Sequence, residues 1–163
     1  MTYDPQAYWT ERGRAYKHKE GDMELARLAT WMLDGHYHRV LEVGSGAGRV
    51  YAYLSKLGRA TPHNFAMCDF VDTFRDACKA QTGVLPDKWD GARLPYADGQ
   101  FGLAVSFSVM LHVPPAEIDA FVAEHARVTN RHIFVATWYE GGKAAPGANF
   151  GYKVMGGTPD TIV

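Results

Sequence analysis

The sequence predicts an α/β fold, a doubly wound and mainly parallel sheet with helices on both faces. Three observations predict it. Short apolar bursts alternate with amphipathic stretches of helical spacing, the rhythm of right-handed β-α-β crossovers. The first burst ends in a run of glycines and leads directly into a helical stretch. The chain of 163 residues is long enough to bury one self-sufficient core, and its 47% apolar and 21% charged content excludes disordered and collagen-like classes. A single domain over 1–163 is expected, with an N-terminal helical cap (1–34), an α/β core (38–138) and a shortened C-terminal segment (139–163).

Residues 5–17 are polar with embedded Tyr8, Trp9 and Tyr16, which predicts a short helix. Asp22 can cap a second helix reaching Leu33, with Met23, Ala26, Leu28, Ala29 and Met32 at helical spacing and Gly35 as its stop. Arg39–Val43 reads as a buried parallel strand, Arg49–Leu57 as a helix ended by Gly58, and Asn64–Cys68 as a second strand closed by Asp69. A helix over 71–81, a short strand near Val84–Trp89 and a loop, DGARLPYADGQ, follow; its Pro and Asp-Gly signals oppose regular structure. Phe101–Phe107 is a fourth strand, Pro115–Val128 a helix with proline in its first turn, and His132–Trp138 a fifth strand. After Trp138 the stretch YEGGKAAPGANFGYKVMGGTPDTIV is rich in glycine. At best Asn149–Met155 supplies one strand there, so the C-terminal strands are expected to be short or missing, in a truncated or minimal form.

No run of 18 apolar residues marks a membrane span, and the N-terminus lacks the basic-then-apolar signature of a signal peptide. Cys68 and Cys78 form no CxxC pair and read as buried free thiols in a reducing cytoplasm. A net charge of −1 and a pI near 6.6 supply no field for a phosphate backbone, so nucleic acid and membrane are disfavoured as partners. No zinc, Ser/His/Asp or Cys/His constellation is found, and no metal is expected.

The strongest chemical signal is Glu42-Val43-Gly44-Ser45-Gly46-Ala47-Gly48. Glycines at such a turn let the backbone touch a ligand while the helix start presents unpaired N–H groups. The dinucleotide fingerprint wants G-x-G-x-x-G, whereas this turn is G-x-G-x-G with a carboxylate two residues ahead. An acid there repels a pyrophosphate and suits a ligand with a cationic ammonium and sulfonium, as S-adenosylmethionine has.

VLEVGSGAGRV resembles the first motif of the class I, seven-strand Rossmann-like methyltransferases. DGARLPYADGQFGLAVSFSVMLHV is similar to a later run of that family's small-molecule branch, and the two together span roughly residues 38–138. The resemblance implies S-adenosylmethionine as cofactor and a small molecule as substrate. It implies that Glu42 and the loop Gly44, Ser45, Gly46 and Gly48 hold the methionine part. Asp69 would accept bonds from the ribose hydroxyls and Phe70 would lie against the adenine. Asp90, with Gly91 and Ala92, would meet the adenine amino group, and Phe107 would stand near the methyl group. On the residues alone, the alternative for Asp69 is a helix cap, with Asp72 competing for the ribose role, and for Asp90 a turn acid before Gly91. His112 is the candidate general base or, alternatively, a pocket-lining residue; the other histidines read as surface residues. Tyr8, Trp9, Arg12 and Tyr16 could form a lid beside Ser108, or simply pack as an amphipathic helix. Rival functions are a non-catalytic cofactor-binding module and a nicotinamide-dependent oxidoreductase. Gly102 departs from the family, which has Asp there. Strand five is strongly apolar, so its outer edge needs cover: either Asn149–Met155 folds back through a Gly141–Gly147 turn, or two chains pair along it as a homodimer.

Overall fold

The structure is a computed structural model that describes residues 5–13, 28–30, 32, 36–136 and 152–156. Helix α1 (Pro5–Gly13) is followed by helical residues 28–30 and 32, then β1 (Val40–Val43) and α2 (Arg49–Lys56). Next come β2 (Phe65–Asp69), α3 (Asp72–Thr82), β3 (Asp87–Lys88) and β4 (Phe101–Phe107). Two single 3-10 turns, Met110–His112 and Pro115–Glu117, lead into α4 (Ile118–Val128), β5 (Thr129–Ala136) and β6 (Tyr152–Gly156). The sheet runs β3-β2-β1-β4-β5-β6, parallel throughout except that β6 is antiparallel to β5. The chain winds outward from β1 through β2 to β3, then returns to the other side of β1 with β4. That reversal opens a crevice beyond the carboxyl ends of β1 and β4, where sheets of this kind bind ligands.

Every residue of β1 is buried because both faces of the sheet are covered. Val40, Val105 and Phe65 pack on one face with Val50, Tyr51 and Leu54 of α2 and with Leu28 and Ala29. Leu41, Val43 and Ala104 pack on the other with Trp89, Phe121 and Val128. Each such fully buried large side chain contributes about 1.5–3 kcal/mol.

Four expectations need correction. Strand three shrinks to Asp87–Lys88, since Leu85 is exposed and Pro86 has no N–H for a ladder. Strand five starts at Thr129, directly after α4, rather than at His132. The residues Pro115–Glu117 make a 3-10 turn instead of the first turn of α4. His125, expected at the surface, is fully buried, with Nδ1 2.8 Å from the Phe121 carbonyl oxygen. Phe121, His125 and Val128 share one helical stripe, which is the pattern that could have placed it inside. Its desolvated imidazole is held down to about 4 and stays neutral at physiological pH.

The departure at Gly102 has a packing reason. A Cβ there would stand 3.3 Å from the Tyr37 ring, and the β4–β5 register shifts between Phe101 and Leu103. The outer edge of β5 is covered by β6, with Ile133 opposite Met155 and Val135 opposite Lys153. The fold-back expectation therefore holds, with the strand at Tyr152–Gly156 rather than Asn149–Met155. A homodimer along strand five finds that edge already paired. Trp138 and the Gly141–Gly147 turn lie outside the described residues, as do Met23 and Ala26.

Candidate functional site

The pocket lies in the crevice at the β1–β4 switch. Its walls include Glu42 at the end of β1, the turn Gly44-Ser45-Gly46, Arg49 and Val50 of α2, and Asp69 and Phe70 after β2. The turn is fastened to the sheet: the N–H groups of Gly44 and Ser45 both donate to the Cys68 carbonyl, at 2.9 and 3.1 Å. Gly44 has φ +72°, and a Cβ on it would stand 2.3 Å from Val109 Cγ2. Gly46 has φ +54° and nothing within 4 Å of where a Cβ would be. Its bareness faces open pocket, as a close ligand approach requires.

The two acids at the floor differ in their bonding. Asp69 accepts from the Gly46 N–H through Oδ2 at 2.8 Å and from the Val71 N–H through Oδ1 at 2.9 Å. Burial raises its pKa, opposed by those N–H donors and by Lys88. Glu42 is 2% exposed and its Oε2 has no hydrogen-bond partner. Burial holds its carboxyl well above the usual range, partly offset by Arg49 and reinforced by Asp69. Ser45, 5% exposed, likewise has an Oγ without a partner. Unpartnered buried polar atoms cost about 1–3 kcal/mol each unless a ligand satisfies them.

The roof comes from elsewhere in the chain. Ser108 follows β4 with φ +56°, a left-handed backbone that a serine adopts only under constraint. It lines the pocket with Phe107, Val109 and His112. The Trp9 ring of α1 meets the His112 ring edge-on, 4.7 Å between centroids, and lies 5.9 Å from the Phe74 ring. Tyr8 packs edge-on against Trp9 and stands 6.3 Å from His112, outside the pocket wall. The α1 helix thus packs against the site, joining the lid and packing alternatives at Trp9.

Several expected site residues are elsewhere. Gly48 does not line the pocket. A Cβ on it would stand 2.5 Å from Cys78 Sγ and 2.9 Å from Thr82 Cγ2, so its absence lets α2 and α3 approach. Asp90, Gly91 and Ala92 are exposed and outside the wall. Asp90 accepts from the Ala92 and Arg93 N–H groups at 2.8 Å each, the turn-acid alternative, and those bonds lower its pKa. Asp72, the alternative for the ribose role, stands outside the pocket wall and pairs at the surface with Arg75 and Lys88, both at 2.8 Å. Nor is Asp69 the cap of α3, since Val71 holds that position without a side-chain bond. The Arg12 side chain and Tyr16 lie outside the described residues. The sequence reading missed Arg49, Val50, Val71, Phe74 and Val109. Arg49 could have been found as the residue that follows the glycine turn into the helix. Among the described residues, no group of three or more His, Cys, Asp or Glu could hold a metal ion, and no helix is long and apolar enough to cross a membrane.

A family model described as a methyltransferase domain matches residues 41–134. No curated protein matches the chain. Among solved structures, magnesium protoporphyrin IX methyltransferase from Synechocystis PCC 6803, with bound SAM, is similar at a TM-score of 0.66 and 15% identity, over 85% of this chain and 78% of that one. Phosphoethanolamine N-methyltransferase 1 from Haemonchus contortus, with phosphoethanolamine and S-adenosylhomocysteine, is similar at 0.61 and 13%, over 82% of this chain and 31% of that one. The methyltransferase bound to the Trm112 activator of Haloferax volcanii is similar at 0.62 and 17%, over 86% and 63%. At these identities the likeness is one of fold.

Proposed function

We propose that this chain, which belongs to the methyltransferase domain family, uses S-adenosylmethionine to methylate a small-molecule acceptor. The observation that carries the cofactor reading is the buried Glu42 with its unpartnered oxygen in a glycine-floored pocket that Asp69 also lines. Those groups fit the cofactor's parts. Glu42 takes a cationic ammonium, and bare Gly46 admits close approach. Each Asp69 oxygen keeps acceptor capacity for a ribose hydroxyl beyond its one N–H bond. Phe70, whose ring stands edge-on to Trp89 at 6.0 Å, offers the adenine a flat apolar wall.

When bound, S-adenosylmethionine supplies a methyl group already activated by its sulfonium, so the protein has mainly to position, desolvate and deprotonate the acceptor. His112 accepts the acceptor's proton as it attacks. Trp9 excludes water from that side, and Phe107 and Ser108 fix the position of the acceptor. A small-molecule acceptor is supported by the porphyrin and phosphoethanolamine named for the two solved neighbours. A net charge of −1 supports no nucleic-acid partner, and two buried free cysteines suit a cytoplasmic location.

Calorimetric titration with S-adenosylhomocysteine and, separately, with NADH tests this reading. It expects saturable 1:1 binding of the first and none of the second. Binding of NADH alone replaces the transferase reading with the oxidoreductase one.

A further inference from the structure

Resting on the cofactor reading and on His112 as the base, we infer that the acceptor is an uncharged aromatic ring bearing a hydroxyl, laid against Trp9 with that hydroxyl at His112. The pocket wall divides in two. Its carboxylates and its arginine, Glu42, Asp69 and Arg49, all belong to the floor, at the ends of β1 and β2 and the start of α2. The part left for an acceptor is lined by Trp9, Phe74, Phe107 and Val109, with Ser108 and His112 as its polar members. It holds no carboxylate, lysine or arginine.

That lining selects by charge and by shape. A charged acceptor would leave water for a surface with no opposite charge to meet it, which is unfavourable. A flat uncharged ring instead meets three aromatic side chains, which bury and stack it. Trp9 spans this part of the wall, 5.9 Å from Phe74 and 4.7 Å from His112 between ring centroids. The indole and imidazole planes stand at 81°. A ring stacked parallel to the indole is therefore nearly perpendicular to the imidazole, so that a substituent on its rim, rather than its face, meets the base. The base decides which substituent. An imidazole draws a proton effectively from an acid of pKa about 10, as a ring hydroxyl is, and poorly from an aliphatic hydroxyl, whose value lies near the ~15.7 of water. The ring oxygen gives its proton to a nitrogen of His112 and forms a bond to the methyl carbon. The carbon–sulfur bond breaks with its electron pair left on sulfur. The products are an aryl methyl ether, S-adenosylhomocysteine and an imidazolium that returns its proton to water.

The test uses the protein saturated with S-adenosylhomocysteine and three probes of one skeleton: β-naphthol, its saturated counterpart decahydro-β-naphthol, and the cationic β-naphthylmethylamine. Calorimetric titration is expected to show β-naphthol binding at least about tenfold more tightly than either of the others. Trp9→Ala should weaken β-naphthol about 10- to 100-fold, the range for loss of a stacking partner. It should change the affinity for S-adenosylhomocysteine less than about threefold, and Trp9→Phe should recover most of the β-naphthol loss. With S-adenosylmethionine, mass spectrometry should find β-naphthyl methyl ether, formed at least about a hundredfold more slowly by His112→Ala. Equal binding of the naphthol and its saturated counterpart overturns the inference, as does tighter binding of the amine or no binding of the naphthol at millimolar concentration. So does a Trp9→Ala variant that binds the naphthol unchanged or loses S-adenosylhomocysteine to the same extent. Bound naphthol that yields no ether moves the reacting atom away from a ring hydroxyl and also overturns it. Failure of the unaltered protein to bind S-adenosylhomocysteine, read before any probe is added, defeats the cofactor reading instead.

Discussion

The floor and the roof of the pocket are built by different means. The floor is tied to the sheet: strand ends, a glycine turn held to the Cys68 carbonyl, and two buried acids on neighbouring strands. The roof is side chain: Trp9 from the N-terminal helix against His112 from a 3-10 turn after β4, over a serine held in a left-handed conformation. A floor of that kind can be rigid and general, recognising what every reaction of the class shares. A roof assembled from distant aromatic side chains can differ without disturbing the sheet. Cofactor affinity should therefore reside in the floor and turnover in the roof.

Removing the roof's histidine gives the largest expected effect. His112→Ala should lower kcat about 10²- to 10⁴-fold while leaving the affinity for S-adenosylhomocysteine nearly intact. More than a tenth of the turnover surviving in steady-state kinetics would reduce His112 to a wall residue and blur the division. On the floor, Asp69→Ala should weaken S-adenosylhomocysteine by about 2–4 kcal/mol, since two charge-assisted bonds to the ribose are lost. A loss below about threefold by calorimetry removes Asp69 from the ribose.

A sharper comparison lies within the turn itself. Gly48→Ala drives a methyl into Cys78 and Thr82 from a backbone at φ +82°, and should lower stability by about 2–4 kcal/mol with little direct effect on the ligand. Gly46→Ala meets no protein atom and should cost only about 1 kcal/mol in stability from its positive φ, yet weaken the cofactor by at least tenfold. Urea denaturation and ligand titration on both variants check the pair, and reversed phenotypes would exchange the two roles. The smallest effect is expected at Asp90. With its carboxylate committed to its own turn, Asp90→Asn should change cofactor affinity less than about twofold. A tenfold loss would bring the turn after β3 back into the site.

The same division explains what could be read from sequence. The sheet and the floor were legible because their signals are local: apolar bursts of strand length, a glycine turn and acids at strand ends. Which glycine opens to the pocket was not legible. Gly46 and Gly48 are alike in sequence, and only the packing of α3 against the turn assigns one to the helix interface. Asp69 and Asp90 looked equivalent as acids at strand ends. Strand three proved too short to carry Asp90 inward, and the acid turned to its own backbone. The Trp9–His112 contact joins segments far apart in the chain, for which no spacing rule exists. His125 is polar, which suggests the surface, yet its place in the Phe121–Val128 stripe puts it inside.

The central claim is that buried Glu42 receives the cofactor's ammonium, and its raised pKa makes this directly measurable. In the free protein, burial favours the protonated carboxyl at pH values above its ordinary 4.5. Because the folded pKa is raised, ionisation of Glu42 costs the empty protein stability as pH rises through it. An ammonium seated beside the carboxylate lowers that pKa again, so binding releases a proton. Calorimetric titration with S-adenosylhomocysteine across a pH series, in buffers of different ionisation enthalpy, measures this linkage for the unaltered protein and for Glu42→Gln. The account predicts affinity that strengthens as pH rises above 4.5 in the unaltered protein, with proton release. In Glu42→Gln it predicts weaker affinity and loss of that component of the pH dependence. An identical pH profile in both proteins would contradict it.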